Sequence, residues 1–105
     1  MVTQHNNIIK DSLLIYKSGG FYNCYNKDAT ILSYLFDYKI TIVNKCGFPK
    51  TAYNKVINRL EEEKISYQVI SKDENPIVKD YKNINNYDNI LLKATRYVDF
   101  QNKKD

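Results

Sequence analysis

The chain contains 105 residues, of which 43% are hydrophobic, and it carries 16 basic residues against 12 acidic ones. This length fits one small domain over residues 1–105, and a net charge of +4 is too small for a disordered tail of this hydrophobicity. No apolar run approaches the ~18 residues that a membrane span requires, and residues 1–10 lack the pattern of a signal peptide. We therefore expect a cytoplasmic domain without a membrane segment, whose residues 1–10 are partly mobile.

The positive charge is concentrated in one half of the chain. Residues 10–59 contain eight basic and three acidic residues, whereas residues 60–105 contain eight basic and nine acidic ones. The first half is therefore the more suitable partner for an anionic polymer such as nucleic acid. A solvated, lysine-rich surface explains the same excess, so charge leaves both interpretations open.

Two strands and a helix are predicted at the start of the chain. Residues 12–17 (SLLIYK) form an apolar run typical of a strand buried on both faces, and residues 21–25 (FYNCY) alternate as a second strand. The intervening residues 18–20 (SGG) predict a turn, since glycine adopts positive φ readily. A helix over residues 27–37 follows, with Asn26 as its cap.

The remaining elements alternate between strands and helices. Residues 39–43 (KITIV) favour a third strand, and residues 44–49 (NKCGFP) predict a loop that exposes the thiol of Cys46, whereas Cys24 is expected in the core. Further along lie a helix over residues 51–63, a strand over 66–71, a polar loop over 72–76, an edge strand within 77–84, a C-terminal helix over 87–101 and a frayed tail over 102–105. The order ββαβαβ(β)α predicts an α/β domain with a mixed sheet of about 4–6 strands and about three helices.

Several motifs of this sequence resemble the mismatch-recognition domain of the MutS family, its N-terminal domain I. Residues 13–23 (LLIYKSGGFYN) are similar to the family's opening strand and its Gly-Asp-Phe-Tyr-Glu motif. Residues 28–29 (DA) are similar to the pair that opens its first helix, and residues 47–49 (GFP) to its Gly-Ile/Val-Pro. The resemblance extends over residues 12–71 and implies a MutS N-terminal-like fold in a stand-alone, single-domain protein.

The resemblance also implies a binding site. In MutS-like proteins the Phe of this motif wedges beside a mispaired base from the minor groove, and this position is Phe21 here. Asn23 stands where the family has a Glu that contacts the base. An exposed aromatic ring can replace lost base stacking at a kink. The alternative is that Phe21 is a core residue, since Phe21 and Tyr22 point in opposite directions on a strand.

Lysines beside the motif complete the predicted DNA-binding set. Lys17, Lys45 and Lys50 lie on or near the flanking loops, where they either contact phosphates or are simply solvated. The sequence departs from the family at Gly20, which replaces an Asp, and at residues 44–46, where a basic loop is shortened. It also lacks the ATPase, clamp and connector domains of MutS proteins, so complete mismatch repair is not expected of it.

Three classes of function follow from these observations. The first is a non-catalytic nucleic-acid-binding module for mispaired or distorted DNA duplex. The alternative is a protein–protein interaction module or homodimer that keeps the fold and uses its tyrosine-rich surface and C-terminal helix. An enzyme is the third and least favoured class. The Glu-x-Lys pattern of Glu62 and Lys64, typical of metal-dependent nucleases, sits at a helix end, and the single His5 has no positioned partner. We therefore expect no catalytic residues, no metal site and no cofactor.

Overall fold

A five-stranded mixed sheet and three α-helices make up the described part of the chain. The structure is a computed structural model that describes residues 11–41 and 44–104, with side chains of the last helix described to residue 100. The strands are β1 (Leu13–Ser18), β2 (Phe21–Tyr25), β3 (Lys45–Pro49), β4 (Tyr67–Ile70) and β5 (Ile77–Lys79), and the helices are α1 (Lys27–Phe36), α2 (Tyr53–Glu62) and α3 (Tyr87–Lys104). The predicted α/β class and the order ββαβαβ(β)α are confirmed.

The strands lie in the order β3-β2-β1-β4-β5. β1 runs parallel to β4, with Leu13 opposite Tyr67, whereas the other neighbouring pairs are antiparallel. A tight turn joins β1 to β2, and Gly19 adopts a positive φ of 60° there, as expected for a residue without a Cβ. β2 therefore lies between β1 and the edge strand β3.

The hydrophobic core lies between one face of this sheet and the helices. Alternate strand residues point into it, among them Leu13, Ile15, Tyr22, Cys24, Cys46, Phe48, Tyr67 and Val69. The helices contribute Ile31, Leu32, Leu35, Val56, Leu60, Ile90 and Ala94 to the same cluster. Because successive strand side chains point to opposite faces, the residues between these core positions lie on the other face of the sheet.

The third strand lies further along the chain than predicted. Residues 39–41 form no regular structure and residues 42–43 lie outside the described residues, whereas residues 45–49, predicted as a loop, form β3. Backbone bonds from Thr41 N to Lys45 O and from Asn44 N to Thr41 O close the turn that leads into it. Glycine and proline are tolerated because β3 is an edge strand and Pro49 is its last residue.

The prediction of an exposed Cys46 thiol is wrong, because Cys46 lies on β3 and points into the core. Its thiol is buried opposite Cys24 on the neighbouring strand, rather than exposed on a loop. Burial raises the pKa of the Cys46 thiol to about 11. The reactive thiolate form is therefore scarce at neutral pH, and both cysteines act as small core residues.

Two predicted helix features also differ from the structure. Asn26 makes no side-chain cap bond and adopts a φ of 55°, so the prediction of a side-chain cap is wrong. Its backbone N–H donates to Asn44 O instead, which fixes the exit from β2. α3 continues to Lys104, beyond the predicted end at residue 101. The predicted mobile segment, residues 1–10, lies outside the described residues.

The segment after β4 is only partly a strand. Within residues 77–84, β5 covers Ile77–Lys79 and a 3₁₀ turn covers Lys82–Ile84. In the part of the chain that the structure describes, no helix combines the length and apolarity needed to cross a membrane.

Candidate nucleic-acid interface

Phe21 lies at the tip of the β1–β2 hairpin. It is the first residue of β2, opposite Ser18 on β1 and Pro49 on β3. Its side chain is 56% exposed, whereas the next residue, Tyr22, is only 9% exposed. The interpretation of Phe21 as a core residue is therefore wrong, and its role in binding stays a prediction.

The direction of Phe21 is set by the packing of its neighbour. The Tyr22 ring stacks on Phe48 of β3, with centroids 5.4 Å apart, and on Tyr53 of α2, with centroids 4.8 Å apart. Aromatic pairs at these distances are favourable beyond the area that they bury. Because Tyr22 is held in the core from two sides, strand alternation turns Phe21 away from the core.

The backbone at the hairpin tip is tied to the edge strand. The N–H of Lys50 donates to the carbonyl oxygen of Gly20 at 2.9 Å, which extends the β2–β3 ladder up to the residue that precedes Phe21. The side chain of Lys50 is exposed beside this bond. The backbone of Lys50 therefore lies beside the residue that precedes Phe21, and a phosphate contact by its side chain stays a prediction.

Asn23 lies on the same face of β2 as Phe21, two residues further along. The rise of a strand separates the two positions by ~7 Å. Asn23 is opposite Tyr16 on β1 and Gly47 on β3. A Cβ at Gly47 would lie 2.7 Å from Asn23 Oδ1, so the amide of Asn23 occupies the space that the glycine leaves open. Glycine at position 47 therefore positions the side chain of Asn23.

The remaining two predicted lysines lie at different places. Lys45 is half-buried opposite Tyr25, at the end of β3 that is remote from Lys50. Lys17 is opposite Tyr22, so it lies on the core side of the sheet at its margin, and its Nζ is 3.9 Å from a carboxylate oxygen of Glu74. The structure therefore places Lys45 on the face of Phe21, but it does not bring Lys17 there.

Sequence reasoning missed two tyrosines on this face. Tyr16 is 37% exposed and Tyr25 is 40% exposed, and their rings meet edge to face with centroids 5.8 Å apart. β1 was expected to be buried on both faces, yet the alternation of buried Cys24 with its neighbours was a signal that Tyr25 points outward. We call Tyr16, Phe21, Asn23, Tyr25 and Lys45 together the outer face.

Charge distinguishes the outer face from other surfaces of the domain. β1 and β3 each contain one lysine, and none of β1, β2 and β3 contains an Asp or Glu. Acidic residues lie beyond β4, at Asp73 and Glu74, and along the end of α2 at residues 61–63. An anionic polymer therefore meets no carboxylate from the three strands that form the outer face.

One buried carboxylate holds the elements behind the outer face together. Asp28 Oδ2 accepts a hydrogen bond from Leu14 N at 3.0 Å, and its Oδ1 accepts one from the Tyr87 hydroxyl at 2.7 Å. Burial raises the pKa of this carboxyl, and the two hydrogen bonds oppose that rise. The Asp at the start of α1 is thus a structural residue that links α1, β1 and α3.

The structure offers little that resembles a catalytic or metal centre. Within residues 11–41 and 44–104, no three His, Cys, Asp or Glu side chains are grouped so that they could hold a metal ion. Glu62 and Lys64, the nuclease-like pair of the sequence, lie at the end of α2 and are exposed.

The fold and the outer face define a small α/β domain whose central hairpin presents an exposed aromatic ring above a lysine-bearing edge strand. Residues 1–88 of the chain match the protein family described as MutS domain I. The chain therefore belongs to the MutS domain I family, and the resemblance seen over residues 12–71 is confirmed and extended. No curated protein matches the chain.

Proposed function

We propose that this domain binds mispaired or distorted duplex DNA through Phe21 and Asn23, with Lys45 and Lys50 beside them, and catalyses no reaction itself. The observation that carries the proposal is the exposure of Phe21 at the end of the hairpin. An apolar ring inserted between two stacked bases replaces their stacking contacts and is itself removed from contact with water. A mispaired position is where separating the bases costs the least free energy. The burial of a Phe side chain contributes about 1.5–3 kcal/mol.

The contacts that fix the hairpin tip favour a binding role for Phe21 over an exposure without function. The hairpin tip is fixed by the Lys50–Gly20 backbone bond and by the stacking of Tyr22 on Phe48. A wedge on a rigid element loses little conformational freedom when it binds, so more of its contact energy appears as affinity.

Asn23 is placed to contact the base beside the wedge. Its amide offers both a donor and an acceptor, and the minor groove presents acceptors on every base pair. The amide is neutral, so it introduces no repulsion toward phosphates. In this proposal, phosphates are contacted by Lys45, which begins β3, and by Lys50, which directly follows it. With so few contacts, we expect a dissociation constant of about 1 μM or weaker.

Fluorescence anisotropy with matched and mispaired duplexes of one length tests this proposal. We expect the parent domain to prefer the mispaired duplex, and we expect Phe21→Ala to lose that preference. Phe100→Ala is the matched control, because Phe100 on α3 is 60% exposed and belongs to a different element. Equal binding of the mispaired duplex by Phe21→Ala and the parent would remove Phe21 from the mechanism.

The alternative of a protein–protein interaction module predicts that Phe21 is buried and that binding surface lies elsewhere. The exposure of Phe21 disfavours it. Failure of the parent domain to bind either duplex, at low salt and at high protein concentration, would return this alternative to first place.

A further inference from the structure

The outer face extends well beyond the wedge. Tyr25 lies on the same strand and on the same side as Phe21, four residues further along, which corresponds to ~14 Å. Tyr16 meets Tyr25 edge to face at 5.8 Å, an arrangement in which the edge of one ring covers only one face of the other. Both rings are partly exposed, so this pair offers an aromatic surface at the far end of the outer face.

Between the two aromatic positions, the outer face is open on the side of β3, while Tyr16 on β1 flanks Asn23 on the other side. Asn23 lies midway along β2, and its partner Gly47 on the edge strand has no side chain and is exposed. No bulky group therefore rises between Phe21 and Tyr25 on β2 or at the facing position of β3. A flat group that lies along this path contacts the amide and the glycine backbone.

The spacing of the two aromatic positions does not fit a stacked duplex. Adjacent bases of one duplex strand are ~3.4 Å apart and are covered on both faces by their neighbours. A shallow sheet face reaches the face of a base only when that base is unpaired. Exposed aromatic side chains on such a sheet are the usual stacking surface for unpaired nucleotides.

Charge at the edge of the outer face is complementary to a nucleic-acid strand. Lys45, the first residue of β3, is opposite Tyr25. Lys50 directly follows β3, and its N–H donates to Gly20 O, one residue before Phe21. The three strands β1, β2 and β3 contain no carboxylate. A phosphate backbone that follows the edge strand thus meets a cation near each aromatic position.

From these observations we infer that the outer face binds an unpaired nucleotide strand that runs from Phe21 to Tyr25, with one base on each aromatic position and with Lys50 and Lys45 beside its phosphates. The inference rests on the proposed function, because Phe21 belongs to both sites. It adds Tyr16 and Tyr25 as binding residues and names single-stranded nucleic acid as a second ligand class.

Anisotropy with a labelled single-stranded oligonucleotide of mixed sequence, alongside the mispaired duplex, tests the inference on the full chain. We expect Tyr25→Ala to weaken binding of the single strand about 5- to 150-fold, which corresponds to the ~1–3 kcal/mol contributed by one stacked base. Binding of the mispaired duplex changes less than about twofold, because the wedge is intact. Tyr25→Phe retains the ring and restores the binding of the single strand.

Tyr81→Ala is the matched control for a lost tyrosine. Tyr81 follows β5 at the opposite edge of the sheet, and the Lys79 Nζ lies 5.4 Å from the centre of its ring. We expect it to bind both ligands as the parent does. Tyr25→Leu, which keeps an apolar contact for Tyr16, replaces Tyr25→Ala if the latter lowers the thermal unfolding midpoint.

The outcomes separate this inference from the function on which it rests. If Tyr25→Ala and Tyr25→Leu bind the single strand like the parent, while Phe21→Ala loses the mispaired duplex, the inference is overturned and the proposed function stands. If the parent binds neither ligand, both are overturned. If Tyr81→Ala loses as much affinity as Tyr25→Ala, the strand does not follow the outer face and the inference again fails.

Discussion

Replacement of Gly47 by alanine tests how the outer face is organised. The added Cβ lies 2.7 Å from Asn23 Oδ1 and 3.3 Å from the carbonyl oxygen of Tyr22. The first distance is far inside van der Waals contact, so the Asn23 amide rotates away. The second is tight by only a few tenths of an ångström, so the backbone of β2 moves little.

The expected effect on folding is small because two contributions oppose each other. A side chain displaced from its rotamer costs about 0.5–1.5 kcal/mol, whereas alanine in place of glycine contributes about 0.4–1 kcal/mol through the unfolded chain. We therefore expect the free energy of unfolding of Gly47→Ala to stay within ~1 kcal/mol of the parent. Urea denaturation followed by circular dichroism measures it.

The expected effect on binding is larger. If the Asn23 amide contacts the base beside Phe21, loss of one hydrogen bond weakens binding of the mispaired duplex about 2- to 12-fold, equivalent to ~0.5–1.5 kcal/mol. Gly20→Ala is the matched control, since a Cβ there meets nothing within 4 Å. Parent-like affinity of Gly47→Ala for the mispaired duplex would show that the position of the Asn23 amide does not matter.

Two further predictions concern charge. Burial raises the pKa of Asp28 above its ordinary value of 3.8, so the folded protein holds this proton more tightly than the unfolded chain. The contribution of Asp28 to the free energy of unfolding is therefore greatest below that ordinary value and falls as pH rises through the folded-state pKa. Asp28→Asn should remove this fall in urea denaturations at several pH values, and an unchanged pH dependence would assign it to another group. Lys50→Ala should reduce the slope of log affinity against log salt by about 0.9. Lys93→Ala, on α3, is the control and should leave that slope unchanged. Equal slopes for the parent and Lys50→Ala would exclude a phosphate contact by Lys50.

Strand β2 shows what the sequence alone determines well. Its alternating, aromatic-rich residues between two turn signals predict its bounds, whereas the sequence left open whether Phe21 or Tyr22 faces the core. Local patterning suffices here because β2 lies between two strands and its pleat must satisfy one core face. The C-terminal helix is likewise determined by the spacing of its apolar residues.

Strand β3 shows where local reasoning is insufficient. In an isolated segment, Gly47 and Pro49 predict a loop, but an edge strand needs hydrogen bonds on only one side and tolerates both residues. The β-branched residues before it favour a strand by propensity, yet residues 39–41 form none. Which segment pairs with β2 is decided by long-range packing of Phe48 and Cys46 into the core, and propensity does not report that.

The candidate site likewise contains residues that the local sequence places together and residues whose positions depend on long-range strand register. Phe21, Asn23 and Lys50 lie within one hairpin and its neighbouring strand, so local sequence placed them together correctly. Lys17 was wrongly grouped with them, because its partner Glu74 is distant in the sequence and strand register puts it on the other side of the sheet. Tyr16 was missed because an apolar run does not show which of its faces is covered.

The departure at Asn23 changes the balance of interactions on the outer face. With a carboxylate at this position, as the resemblance places in other MutS-like domains, an acidic group would stand ~7 Å from the wedge position and would repel nearby phosphates. An amide removes that repulsion and does not titrate, so base contact by Asn23 depends on neither pH nor salt. If the proposed function is correct, the salt dependence of binding arises from Lys45 and Lys50, and discrimination arises from Phe21 and the Asn23 amide. On the proposed function, we expect such a domain to tolerate many nucleic-acid sequences and to respond chiefly to whether a base is free to leave its stack.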